Sequence, residues 1–324
     1  MKNSIHNLLK NKIAFHDNLG DASISFDSRT NQVQTKDAFS EKWTNPISND
    51  LTSDKGFIED QKRWFLKLYG FNSEKEIKSF FDGKIILDAG CGIGYKSAWI
   101  ASLCPNSKVI GMDISESILL ASKRYKKIDN LFFIMGDIAN TPLKNESIDI
   151  VICDQVIMHT EKPKKTFQHL GNIIKESGFF LCYVYSKKAL VRELIDDYFR
   201  DKVHEISNED LWELSSQLTE LGKNLTELNV QVEVPDVPLL NIKKGRYDIQ
   251  RFIYWNFIKC FYNEKWNYES NNIVNYDWYS PSNATRYTEE EFKSIISQNN
   301  FNIDFFHREE ACFSGRFLKS KLGL

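Results

Sequence analysis

The stretch Leu87-Asp-Ala-Gly90-Cys-Gly92-Ile-Gly94 places chemistry-bearing residues at a demanding spacing. Glycines at alternate positions let the backbone turn tightly and approach a bulky ligand more closely than side chains allow. A dinucleotide fingerprint needs Gly-x-Gly-x-x-Gly, but Gly94 comes one residue too early and Tyr95 follows it, which counts against a nicotinamide oxidoreductase. Asp113, in Gly111-Met-Asp-Ile114, lies roughly 20 residues beyond the glycines, where a carboxylate takes the ribose hydroxyls of an adenosine. Gly136-Asp137-Ile138 adds a carboxylate suited to an adenine exocyclic amine and an apolar wall for the ring.

Strand ends must hold these residues. Residues 84–90 read as a short buried strand, Tyr95–Leu103 as a helix and 108–114 as a second strand, a βαβ unit. A helix from Ser115 to Lys127, with Ser115 as N-cap, leads to the strand 131–135. Strands at 148–153 and 178–185 flank a helix over 163–175. Near-continuous apolar strands alternating with helices predict a mostly parallel, Rossmann-like α/β sheet covered on both faces. The rhythm breaks after Ser186 and resumes at Thr288-Glu-Glu-Glu-Phe292, an acidic helix start, before strands at 301–307 and 312–318 that close the sheet as an antiparallel hairpin.

The N-terminal residues 1–55 are polar and weakly patterned, with short strands expected at Ile13-Ala-Phe15 and Ser23-Ile-Ser-Phe26 and a turn at Asn45-Pro46. Helical spacing follows from Gly56 and again over 73–80. The expected organisation is an N-terminal arm with helices (1–80), a cofactor core (81–186), an aromatic-rich, mainly helical insertion (187–287) and a C-terminal helix and hairpin completing the core (288–324).

Asp88-Ala-Gly-Cys-Gly-Ile-Gly94, Gly111-Met-Asp113, Gly136-Asp137 and Asp154-Gln155-Val-Ile-Met-His159-Thr together resemble the successive motifs of class I S-adenosylmethionine (SAM) dependent methyltransferases. The resemblance spans about residues 84–186 and resumes at the C-terminal hairpin. It implies SAM as cofactor and S-adenosylhomocysteine (SAH) as product. It also implies glycines beneath the methionine end, Asp113 on the ribose and Asp137 on the adenine. Asp88, Gly90, Cys91, Gly92, Gly94, Ile114, Gly136, Ile138, Asp154 and Gln155 complete the expected cofactor set. The segment Val156–Pro163 is similar to the strand-four loop of the branch that methylates small metabolites, where His-His-x-x-x-Pro is frequent. Here the first histidine is Met158, and His159 is the candidate base. Trp43 and Arg63 resemble the aromatic and arginine that lie over the cofactor in some members.

The insertion concentrates tyrosine and tryptophan between Tyr247 and Tyr279 and is expected to form a lid at the carboxyl ends of the strands. Helices are expected over 197–228 and 248–262, joined through an extended connector at Val234-Pro-Asp-Val-Pro238. Arg246, Arg251 and Arg286 are candidates for an anionic substrate group, and Tyr279, Arg286 and Tyr287 are the preferred acceptor contacts. A formal charge of -2 gives little drive toward nucleic acid. The six cysteines have no ligand spacing and read as buried thiols, so no metal is expected. Without a secretory h-region or a run of roughly 18 apolar residues, the chain is expected to be cytoplasmic and to have no membrane partner. Homodimerisation through the insertion is a further expectation. The expected activity is methyl transfer to an oxygen or nitrogen of a small metabolite such as a sugar-nucleotide, glycan precursor or secondary metabolite. A non-catalytic SAM-binding scaffold is the alternative.

Overall fold

The computed structural model describes residues 3–22, 31–45 and 54–320. The expected strand at Ser23–Phe26 and the Pro46 side of the expected turn lie outside these residues. The chain forms two compact units, of which one holds the described residues up to Ala22, Lys62–Ser186 and Thr285 onward. The other holds the described residues of Arg29–Gln61 together with Lys187–Ala284. Among the described residues no helix is long and apolar enough to cross a membrane.

In chain order the strands are β1 (Phe15–His16), β2 (Leu19–Asp21), β3 (Ile85–Ala89), β4 (Lys108–Asp113), β5 (Leu131–Met135), β6 (Ile148–Cys153) and β7 (Ile174–Ser186). They continue with β8 (Gln231–Val234), β9 (Gly245–Asp248), β10 (Arg286–Tyr287), β11 (Phe301–Arg308) and β12 (Cys312–Lys319). The first unit is built on one sheet of order β1-β2-β5-β4-β3-β6-β7-β12-β11, with β10 also paired to β7. From β2 to β7 neighbouring strands run parallel, whereas β12 is antiparallel to both β7 and β11. Chain order reverses direction between β4 and β6 on either side of β3, so a crevice opens at the carboxyl end of β3.

Residues such as Ile86, Leu87, Val109, Ile110, Val151 and Ile152 are almost wholly buried, as strands covered on both faces require. Thr288 caps the helix Glu289–Gln298 in a reciprocal capping box with Glu291. The expected helix after β4 starts later, at Ser117, and ends at Arg124. Ser115 is not its cap, because its hydroxyl donates to Asp113 Oδ1 at 2.6 Å.

The second unit packs the helices Asn31–Thr44, Leu190–Lys202, Asn208–Glu227, Ile249–Asn256 and Tyr268–Tyr279 with the antiparallel β8–β9 pair. Trp212 and Tyr276 stack with ring centroids 3.9 Å apart. The expected helix over 248–262 stops at Asn256, and side chains of this helix and of Tyr268–Tyr279 satisfy the backbone beyond it. Gln250 donates to the Cys260 carbonyl (2.7 Å), and the Asn275 amide oxygen accepts the Phe261 N–H (2.8 Å). A helix absent from the expectation, Asn31–Thr44, buries Gln32, Thr35, Ala38 and Lys42.

A Cβ added at Gly315 would stand 2.1 Å from the Phe305 carbonyl oxygen, which belongs to the paired strand and cannot move alone. Gly315→Ala is therefore expected to cost about 2–4 kcal/mol in urea unfolding, against about 1 kcal/mol for the lost cap in Thr288→Ala. Equal effects from the two substitutions would contradict this reading of the hairpin.

Candidate active site

The turn after β3 carries Gly90, Gly92 and Gly94 at φ of +89°, +52° and +74°, a left-handed region that favours glycine. Space is also restricted, because a Cβ at Gly90 would stand 2.3 Å from Val156 Cγ1. The Met112 carbonyl accepts from the N–H groups of Gly90 (2.7 Å) and Cys91 (3.0 Å). The Gly92 N–H donates to Asp113 Oδ2 at 2.7 Å. The turn is thus stitched to the end of β4, and Gly94 opens the helix Tyr95–Leu103.

Asp113 is buried, and its Oδ1 accepts from both the Ser115 N–H (2.8 Å) and the Ser115 hydroxyl (2.6 Å). Of its two carboxylate oxygens, Oδ2 is the one that faces the glycine turn. Asp137 uses Oδ1 to cap the 3-10 turn Ile138–Asn140 through the Ala139 N–H (2.8 Å). Burial raises both carboxyls above their ordinary value.

Asp88, at the end of β3, is also buried and accepts the Ser97 hydroxyl at 2.5 Å. Desolvation raises it from 3.8 to about 6, with the Asp154 and Asp113 charges adding to the rise while Ser97 and Lys96 oppose it. Asp154, just past β6, takes an ion pair from Lys96 and a hydrogen bond from the Tyr69 hydroxyl (2.8 Å). Burial works against the Lys96 ammonium, but the Asp154 carboxylate outweighs it and holds the pKa above the usual lysine value. Among the described residues, three buried carboxylates therefore gather around the Lys96 ammonium. The excess negative charge in a crevice floored by left-handed glycines fits a ligand that is cationic at one end and bears hydroxyls at the other.

The loop after β6 begins at Gln155, a non-glycine residue at φ +66°. Such strain persists only where the surroundings fix it and clusters at functional sites. The 3-10 turn Ile157–His159 buries Met158 completely and His159 almost so. His159 Nε2 lies 3.3 Å from the Tyr185 hydroxyl, and the two rings meet edge-on at 5.4 Å.

Among the other expected residues, Ile114 and Gly136 flank the ends of β4 and β5, and Ile138 is buried in the core. Arg286 and Tyr287 form β10 beside Tyr185 and Ser186, with Tyr287 inside the hydrophobic core. Arg63 is exposed in the first unit. Trp43 and Tyr279 belong to the second unit, where Trp43 packs around Phe57 and Ile273. Arg246 is exposed on β9, 3.8 Å from Glu233, and Arg251 donates to the Tyr262 carbonyl at 3.3 Å. Sequence reading passed over Lys96, Tyr69, Ser97, Ser115 and Tyr185. Lys96 and Ser97 directly follow the glycine turn and Ser115 follows Asp113, so proximity was a usable signal for these three; Tyr69 and Tyr185 are brought in by tertiary packing.

A family model described as a methyltransferase domain matches residues 80–249, just over half of the chain. The chain belongs to this family. It is a class I SAM-dependent methyltransferase. It is 24% identical over 168 residues to a malonyl-[acyl-carrier protein] O-methyltransferase of Marinomonas sp., covering 49% of this chain and 62% of that protein. A mitochondrial ubiquinone biosynthesis O-methyltransferase of Schizosaccharomyces pombe is 30% identical over 122 residues, covering 36% of this chain and 43% of that protein. The chain thus spans less than two thirds of the length of these relatives. Among solved structures it aligns with magnesium protoporphyrin IX methyltransferase from Synechocystis PCC 6803 with bound SAH, at 15% identity and TM-score 0.45, covering 90% of this chain and 100% of that chain.

The raised Asp88 carboxyl generates a stability prediction. Between about pH 4 and 6 the unfolded chain ionises Asp88 while the folded chain keeps it protonated, so the folded state binds more protons and loses stability as pH rises through this window. Asp88→Asn keeps an acceptor for Ser97 and removes the dependence. Urea unfolding should show the variant gaining on the wild type between pH 4.5 and 7, by about 1–3 kcal/mol. A constant difference across this range would contradict a raised Asp88.

Proposed function

We propose that this methyltransferase moves the methyl group of SAM to a hydroxyl or carboxyl oxygen of a small metabolite, with His159 receiving the proton where the acceptor is a hydroxyl. The observation that carries the cofactor half is the set of buried carboxylates around the glycine turn. Asp113 would hold the ribose and Asp137 the adenine amine, with Ile138 and Ile114 along the ring. Gly90, Cys91, Gly92 and Gly94 would let the backbone run against the methionine portion. Asp88, Asp154 and Gln155 would face its amino group, and Gly136 would keep the end of β5 open for the base.

SAM supplies an electrophilic methyl group on a positively charged sulfur. The residues of this chain then have three tasks: to hold the acceptor oxygen in line, to exclude water and to take a proton. His159 fits the last task by its place after β6 and its hydrogen-bond reach to the Tyr185 hydroxyl, which would orient the ring. Arg286 and Tyr287 on β10, with Tyr279, are the proposed acceptor contacts, and Trp43 and Arg63 the proposed cover of the cofactor. Oxygen is preferred to nitrogen because a base is at hand and because relatives carry O-methyltransferase names. The four regions expected from sequence are retained as the proposed functional division, together with cytoplasmic residence and a homodimer.

Incubation with methyl-labelled SAM and separate panels of hydroxylated, carboxylated and amino metabolites tests this reading. Label should enter an oxygen of a small acceptor. For a hydroxyl acceptor, His159→Gln should slow turnover by about 100-fold or more while SAM affinity stays within about twofold. Label found only in amines, or turnover untouched by His159→Gln, would overturn the oxygen and base assignments; SAM binding without transfer to any acceptor would favour a scaffold.

A further inference from the structure

We infer that the second unit carries a seat for an anionic oxygen group, a carboxylate or a phosphate, with the Lys259 ammonium as its binding charge. The seat rests on the geometry of this unit alone.

Lys259 lies in the irregular segment between the helices Ile249–Asn256 and Tyr268–Tyr279 and is only 7% exposed. Its position is pinned from both sides. The Lys259 N–H donates to the Tyr279 hydroxyl at 3.0 Å, and the carbonyl of the next residue, Cys260, accepts from Gln250 at 2.7 Å. The Lys259 Nζ stands 4.5 Å from the centre of the Trp278 ring and 6.0 Å from that of Tyr254. Among the described residues no carboxylate forms an ion pair with it. Aromatic faces compensate an ammonium only weakly compared with a carboxylate.

The carboxylates nearest in charge are already held by other cations. Asp196 takes the Arg192 guanidinium through both oxygens, at 3.0 and 3.1 Å, and also accepts the Trp278 indole N–H at 2.8 Å. Asp277 takes the Lys42 ammonium at 2.8 Å. Lys188 brings one more buried cation, lying over Trp255. Burial, together with the Arg192 and Lys188 charges, lowers the Lys259 pKa from 10.5 to about 7, against the opposing pull of Asp277 and Asp196.

A largely buried ammonium that no carboxylate pairs is costly, and a methionine would fill similar space without the charge. Burial of the charge is accounted for by a visiting anion. An anionic oxygen group beside Lys259 would complete its ion pair and favour the charged form. Binding should therefore be tightest below the pKa of the free enzyme and weaken as pH rises above that of the complex.

The test is to label the lysines of the intact protein with carbon-13 at Cε and follow the Lys259 resonance against pH, assigned through Lys259→Arg. The titration is run in chloride and then, at matched ionic strength, in benzoate and in inorganic phosphate. In chloride the midpoint should fall near 7. A seat for either anion raises the midpoint by about one pH unit or more, equivalent to at least about tenfold tighter anion binding to the charged form. A rise with benzoate alone assigns a carboxylate, and a rise with phosphate alone assigns a phosphate. A midpoint unmoved by both anions overturns the seat. Because the readout is a titration and not turnover, the seat is tested even if the protein transfers no methyl group, and failure of either reading leaves the other to be judged separately.

Discussion

The hydrogen bond from the Gly92 N–H to the Asp113 carboxylate joins two segments on which the cofactor crevice depends. On one side is a turn that only glycines fill comfortably, pressed against Val156; on the other is the end of β4, from which Met112 also holds the turn through its carbonyl. A parallel sheet with its direction switch at β3 brings these ends together. The same closeness forces Asp88, Asp113 and Asp154 into one poorly solvated region, where among the described residues Lys96 offsets their charge. A crevice that gathers these carboxylates is therefore less stable than a neutral one would be. This is the usual tension between function and stability, here located at named carboxylates.

The second unit reverses the electrostatics. Arg192 and Asp196 are fully buried together, Arg200 is held by the carbonyls of Trp278 and Pro281, and Lys42 pairs with Asp277. Tyrosine and tryptophan suit such an interior because their rings cover cationic side chains while their polar atoms find partners, as the Trp278 N–H does on Asp196. The aromatic density between Tyr247 and Tyr279 is therefore also the mark of a core rich in buried charge.

Legibility in the sequence followed how each element is stabilised. The strands β3 to β6 and the later part of β7 bury continuous apolar runs, whereas β11 leaves Asn302, Ile303 and Asp304 exposed; the approximate places of these strands and the parallel-then-antiparallel arrangement could be read directly. The helix Asn31–Thr44 escaped because its inward face is Gln32, Thr35, Ala38 and Lys42, a helical period without a hydrophobic one. Tyr268–Tyr279 buries Ser270, Asn271, Asn272 and Asn275 alongside Ile273, Tyr276, Trp278 and Tyr279. Its asparagines hold the backbone beyond Asn256 that periodicity had assigned to a helix. In the crevice, glycine spacing exposed the backbone-defined part. The Lys96–Asp154–Tyr69 connection joins three separate stretches of chain and becomes visible only once the sheet is formed.

The central claim is that the acidic crevice at the end of β3 binds SAM as a cation. The most direct measurement is calorimetric titration of SAM at pH 6 in two buffers of different ionisation enthalpy, with wild type and Asp88→Asn. Asp88 is partly protonated there in the free protein, with a pKa of about 6, and a neighbouring positive charge favours its ionised form. SAM should bind the wild type with net proton release, and Asp88→Asn with a smaller release or none. Absence of SAM binding, or proton uptake on binding by the wild type, would contradict it.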